Sequence, residues 1–153
     1  MINLMSRAIL MSTPLLIGAT AEVFAERAGV MIIAIEGIVL IGAWGGFVGA
    51  FTTGNSFTGF FLASVLGVMI AALYGVLTVK LKQHQIVAGT AMNIFIAGLV
   101  TFFNRVLFGV PLLPLTIEPF KTMPIPLLSG IPIVGPILFS QSLLTYVAYI
   151  IAP

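Results

Sequence analysis

Charge is scarce in this chain: of its 153 residues only 7% are Asp, Glu, Lys or Arg, while 60% are hydrophobic. A soluble domain carries about 25% charged and roughly 45–50% apolar residues, so these few charges cannot coat a globule of this size in water. The composition excludes a soluble domain and leaves an integral membrane protein of several helices. The net charge of +2 comes without a basic run, which removes nucleic acid as a partner. Cysteine is absent, and with it disulfides and thiolate chemistry, although this does not fix a compartment. The sequence also has no His-Glu-x-x-His pair, no Gly-x-Ser-x-Gly elbow and no Walker-type phosphate loop. The chain is therefore expected to hold no catalytic residue, metal or cofactor, and not to hydrolyse ATP by that route. An intramembrane enzyme would need a nucleophile–base pair or a metal cluster, and the sequence offers neither.

What is present is apolar sequence in long runs. With about 20 residues needed per spanning helix, five segments can be read: 1–21, 28–51, 57–79, 85–104 and 134–152. The expected fold is all-α and polytopic, with four to five transmembrane helices in a single transmembrane domain over 1–153. Arg7 and Pro14 cut the first segment and make it the weakest. Arg7, an apolar stretch and Ala19-Thr20-Ala21 have the outline of a signal peptide. Ser12-Thr13-Pro14 interrupts that apolar core and further membrane segments follow at once, so the segment is read as retained. Between 106 and 133 six prolines, from Pro111 to Pro132, rule out a continuous helix. That stretch stays apolar and is read as an ordered loop on the membrane face or packed on helix ends, before the last segment.

The positive-inside rule puts the Lys80–Lys82 turn in the cytoplasm. If all five segments cross, Arg27 is then inside as well, with Arg7, Arg105 and Lys121 outside, a balance that leaves orientation open.

A few residues stand out against this background. Glu36 lies inside an apolar run, where a carboxylate costs several kcal/mol unless paired, protonated or next to water. It pairs with Arg27, accepts helix N–H groups, or borders a pathway or gate. Glu22, Glu26 and Arg27 form a charge cluster, in which Glu22 and Glu26 are a like-charge i,i+4 pair if helical and Arg27 offsets the repulsion. Gly42, Gly45, Gly46 and Gly49 give two overlapping small-xxx-small pairs, the spacing that lets helices approach closely in lipid. Gln85, Gly89, Asn93, Ala97 and Thr101 recur at i,i+4 with Thr90 beside them, drawing a small-and-polar stripe down one helix face. The stripe either hydrogen-bonds to other helices or lines a polar path. The candidate path or gate residues are thus Glu36, Asn93, Gly42, Gly46, Gly89 and Thr90. His84 is the only histidine and sits beside two lysines at a membrane edge.

Two of these stretches resemble a known family. Glu26-Arg27-Ala28-Gly29-Val30, followed by Ile33, Ile35 and Glu36-Gly37, resembles a signature of bacterial ABC importer permeases of the nucleoside and simple-sugar branch. These are relatives of the branched-chain amino acid permeases, and their pattern reads Glu-Arg-x-Gly-Val-x-Asn-Ile-Gly-x-Glu-Gly. Gln85-Ile86-Val87-Ala88-Gly89-Thr90-Ala91-Met92-Asn93 is similar to the family's Gln-Ile-Val-x-Gly-x-Ala-x-Asn segment. Thr13-Pro14-Leu15 and the proline-rich stretch leading to Ile131-Pro132 and Gly135-Pro136 also fit. Ile32 stands where the family has asparagine and Ala34 where it has glycine, so the motif is more apolar here. Family members are about twice as long, so the chain resembles an N-terminal half. The resemblance implies a multi-pass subunit of the bacterial cytoplasmic membrane that moves nucleosides or simple sugars. It also implies partners: separate ABC ATPase subunits, a second permease subunit or the missing C-terminal half, and an extracytoplasmic solute-binding protein. The alternative is a truncated fragment that inserts but transports nothing.

Overall fold

A computed structural model of the chain describes residues 2–109, together with 116, 145–147 and 150. These residues are helical apart from short connections: α1 (Ile2–Arg27), α2 (Ile35–Thr53), α3 (Ser56–Gly75), a single π-helical turn (Val76–Lys80) and α4 (Gln85–Phe108). Four stretches are long and apolar enough to cross a membrane: Arg7–Arg27, Ile35–Thr53, Ser56–Lys80 and Gln85–Phe108. The expected fifth segment, 134–152, and most of the proline-rich loop lie outside the described residues. The start of that loop moves, because Val106, Leu107 and Phe108 belong to α4.

By its internal contacts the chain divides into two compact units, Met1–Phe24 with Phe120–Pro153, and Ala25–Pro119. In the first unit, Pro14 does not cut the segment as expected; α1 runs straight through it. The hydroxyls of Ser12 and Thr13 both donate to the Ile9 carbonyl, at 2.9 and 3.0 Å. The carbonyl that Pro14 leaves without its helical N–H partner is that of Leu10, four residues back.

In the second unit α2 is the middle element, packed against α3 on one side and α4 on the other. The turn from α2 to α3 is short because Gly54 takes the left-handed conformation (φ +67°) and its N–H closes on the Ala50 carbonyl. Asn55 then caps α3 by accepting from Phe57 N at 2.9 Å, as a short polar N-cap should. The hydroxyls of Thr53 and Thr58 bond to each other across the turn.

Four of the five α2 glycines, Gly42, Gly45, Gly46 and Gly49, form the seam with α3. A Cβ at Gly49 would lie 2.9 Å from the Gly59 Cα, and one at Gly59 would lie 2.5 Å from the Gly46 carbonyl oxygen. Gly42 and Gly46 face Ala63. Backbone-to-backbone approach of this kind supplies van der Waals contact in lipid, where no hydrophobic force drives helices together.

Helices α2 and α4 run parallel: Gly37 lies beside Asn93, Trp44 beside Phe103 at 5.9 Å between ring centroids, and Phe51 beside Phe108 at 5.3 Å. Ala34, Ile41, Tyr74, Met92 and Ile96 are the buried core of the unit. Replacing Gly59 with alanine is expected to destabilise the α2–α3 hairpin by about 1–3 kcal/mol through overpacking against backbone. Alanine at Gly98, where a Cβ meets nothing within 4 Å, should leave stability unchanged. Reversible unfolding in mixed detergent micelles compares the two.

Candidate functional site: a helix break held by side-chain amides

The site is built around the connection from α1 to α2. Arg27 stands in the last turn of α1, where a cation complements the helix dipole. Gly29 follows with φ +81°, a conformation that glycine adopts without steric cost. The Val30 N–H reaches the Ala25 carbonyl at 3.0 Å and the Gly29 N–H reaches Glu26 at 2.9 Å. These are the paired 6→1 and 5→2 bonds of a Schellman stop. The Arg-x-Gly-Val string therefore ends a helix, whereas the sequence reading began a membrane segment at Ala28.

After Val30 the chain crosses the end of the unit without regular structure until α2 starts at Ile35. Its backbone groups need partners, and α4 provides them. The Gln85 side chain accepts from Met31 N at 2.9 Å and donates to the Gly29 carbonyl at 3.4 Å. The Asn93 amide donates to the Ile33 carbonyl at 2.9 Å and accepts from Gly37 N at 2.9 Å. Tyr74, at 2% exposure, donates its hydroxyl proton to the Met31 carbonyl at 2.5 Å.

Gln85 and Asn93 are eight residues apart, about 12 Å along a helix, and so grip the connection at both ends. Midway between them, a Cβ on Gly89 would lie 2.6 Å from the Ile33 Cβ and 3.1 Å from Ala34 N. Glycine is required there because the connection lies directly on the α4 surface.

Asn93 also solves a capping problem. Ala34 occupies the N-cap of α2 and has no side-chain cap bond. The orphan N–H of Gly37, three residues on, is taken instead by Asn93 Oδ1. A cap from another helix thus replaces the usual local one. Gly37 is glycine for a related reason, since a Cβ there would lie 2.9 Å from that same oxygen.

The other predicted residues are spread over these helices. Glu36 stands at the start of the span Ile35–Thr53 rather than within its length; it is exposed in the first turn of α2, where the helix dipole favours a carboxylate. Of the polar stripe, Gln85, Gly89 and Asn93 meet the connection, whereas Thr90 and Thr101 are exposed and bond to their own helix at Ile86 and Ala97. Gly42 and Gly46 lie in the α2–α3 seam. Glu22, half-buried, and Glu26, exposed, lie on α1 ahead of Arg27. Ile32 and Ala34, the two departures from the family pattern, belong to the apolar packing, with Ala34 fully buried. Among the described residues no group of His or Glu could hold a metal.

Two residues of the site escaped the sequence reading. Tyr74 sat in a uniform apolar run and gave no signal. The Gly29 stop did have one, in the order basic residue, glycine, apolar residue.

The two stretches with family resemblance are thus each other's hydrogen-bonding partners. A family model described as "Branched-chain amino acid transport system / permease component" matches residues 4–152. The chain belongs to that family. Membership places it among the non-catalytic, multi-pass membrane subunits of ABC transporters.

Among its curated relatives, a protein named "Putative glucose ABC transporter permease protein TsgC13" from Haloferax volcanii is 32% identical over 99% of this chain and 46% of its own length. "Nucleoside ABC transporter permease protein NupC" from Lactococcus lactis is 31% identical over 97% of this chain and 49% of its own. "Guanosine ABC transporter permease protein NupQ" from Bacillus subtilis is 28% identical over 85% and 43% respectively. The permease chain spans about half the length of the curated relatives it matches. No solved structure matches it.

Replacing Asn93 with alanine strips partners from two backbone groups of this permease chain, and at about 1–3 kcal/mol for each unsatisfied group the expected loss is about 2–6 kcal/mol. Gln85→Ala, at the more exposed end of the clamp, should cost less. Denaturant unfolding of both variants in micelles checks the order.

Proposed function

We propose that this chain forms half of the transmembrane pathway of an ABC importer for nucleosides or simple sugars. The observation that carries the reading is the family match over nearly the whole chain, with relatives named for glucose, nucleosides and guanosine. ATPase subunits supply the energy, an extracytoplasmic solute-binding protein delivers the solute, and a second permease subunit or half completes the path.

Within the chain, Glu36 is the residue proposed to border the path or its gate. It is an exposed carboxylate at a helix start, next to a backbone break, and intramembrane carboxylates mark solute and ion routes. Asn93 and Gly89 position that helix start, and Thr90 presents a hydroxyl one residue beyond Gly89. Gly42 and Gly46 bring α3 close against the helix that carries Glu36. The competing reading is a fragment that inserts but does not transport.

Uptake of labelled nucleosides and pentoses by vesicles separates the two. The complete assembly, with ATPase and second half supplied, is expected to take up one solute class, and Glu36→Gln should lower that uptake several-fold at unchanged membrane level. Omitting the second half should abolish solute-stimulated ATP turnover. Turnover with this chain and the ATPase alone contradicts the proposal, and no uptake from the complete assembly establishes the fragment reading.

A further inference from the structure

A groove of about 520 Å³ opens between α2 and α4. Its walls are apolar, with Leu40, Trp44 and Phe47 on α2 and Val100 on α4, and it becomes polar at Asn104 and Arg105. The two helices run in parallel, so the polar end of the groove is also the C-terminal end of both. Helix α4 has 24 residues, about 36 Å at 1.5 Å per residue, which exceeds the ~30 Å hydrocarbon core. Arg105, in its last turn, therefore stands at the level of lipid headgroups, with Val100 and Leu40 deeper.

Two observations define what the groove would accept. Its lining includes one cation and no carboxylate. Neither Asn104 nor Arg105 has a side-chain partner among the described residues. The Trp44 indole Nε1 is enclosed by protein, so Trp44 enters the groove as apolar wall. Trp44 packs at the level of Phe103, two residues or about 3 Å deeper than Arg105 along the helix.

The geometry points to this groove as a binding site for one anionic glycerophospholipid. Its phosphate is held by Arg105 and Asn104, and an acyl chain lies along Trp44, Leu40 and Val100. The C-terminal end of α4 is itself weakly electronegative, so the Arg105 guanidinium decides the sign of the site. Basic pockets between membrane helices are suited to anionic headgroups for this reason. A small hydrophilic solute would leave the apolar length of the groove uncovered. The inference does not rest on the transport reading.

Trp44 is the only tryptophan in the chain, so its fluorescence reports on this groove alone. The full chain is reconstituted in bilayers, and quenching is titrated with phosphatidylglycerol or phosphatidylcholine brominated on the acyl chain. Phosphatidylglycerol is expected to bind about fivefold more tightly, the preference one basic residue gives at an anionic surface. Arg105→Gln should abolish that preference and Arg105→Lys should retain it. Equal quenching by both lipids in the unmodified chain overturns the inference, as does a preference that survives Arg105→Gln. Absence of quenching by either lipid also overturns it, because protein would then fill the groove.

Discussion

Everything in the second unit depends on one side-chain amide. Asn93 gives its N–H to the Ile33 carbonyl and takes the Gly37 N–H on its oxygen, joining the last non-helical residues to the first turn of α2. In a bilayer an unsatisfied backbone group costs several kcal/mol, so a helix cannot stop and restart at membrane depth without outside donors and acceptors. Asparagine carries one of each, separated by the width of an amide group. A hydrophobic residue would offer neither, and an aspartate only the acceptor.

The neighbouring features follow from that constraint. Gln85 repeats the same chemistry two turns earlier, and Tyr74 closes the Met31 carbonyl from α3. Gly89 clears the ground between the two amides. The π-helical turn Val76–Lys80 then lets α3 end between Tyr74 and the cationic turn, with Leu81 N bonding back to Val76 at 2.9 Å. Widened turns of this type occur where a helix is diverted for a local purpose. As a result the Lys80 and Lys82 turn and the α1–α2 connection lie at one end of the unit, and Arg105 lies at the other. With α2 fixed at its start by α4 and along its length by the glycine seam, the exposed carboxylate of Glu36 is held in a defined place.

Much of this was legible in the sequence. The apolar runs marked the membrane segments, the glycine spacing marked a helix seam, and the i,i+4 stripe from Gln85 to Asn93 marked a face turned toward protein. What the stripe could not show was its partner, because hydrophobic periodicity describes one helix at a time and the connection lies more than 50 residues away in sequence. The same blindness explains Glu36. Hydropathy saw an unbroken apolar run from Ala28 to Phe51, since Met31, Ile32, Ile33 and Ala34 are as apolar as the helix they precede. The break there is made by Gly29 conformation and by tertiary hydrogen bonds, neither of which alters composition. Pro14 misled in the opposite direction, because a membrane helix can carry an internal proline without ending there.

The family membership gives this clamp its wider meaning, since the two motifs that resemble other permeases are the two halves of one hydrogen-bonded joint. Amide hydrogen exchange at Gly37 tests that claim most directly, comparing the unmodified chain with Asn93→Ala in the same micelles. The account predicts strong protection of the Gly37 N–H in the unmodified chain and its loss in the variant, while Met31, held by Gln85, keeps its protection. Fast exchange at Gly37 in both proteins would contradict it.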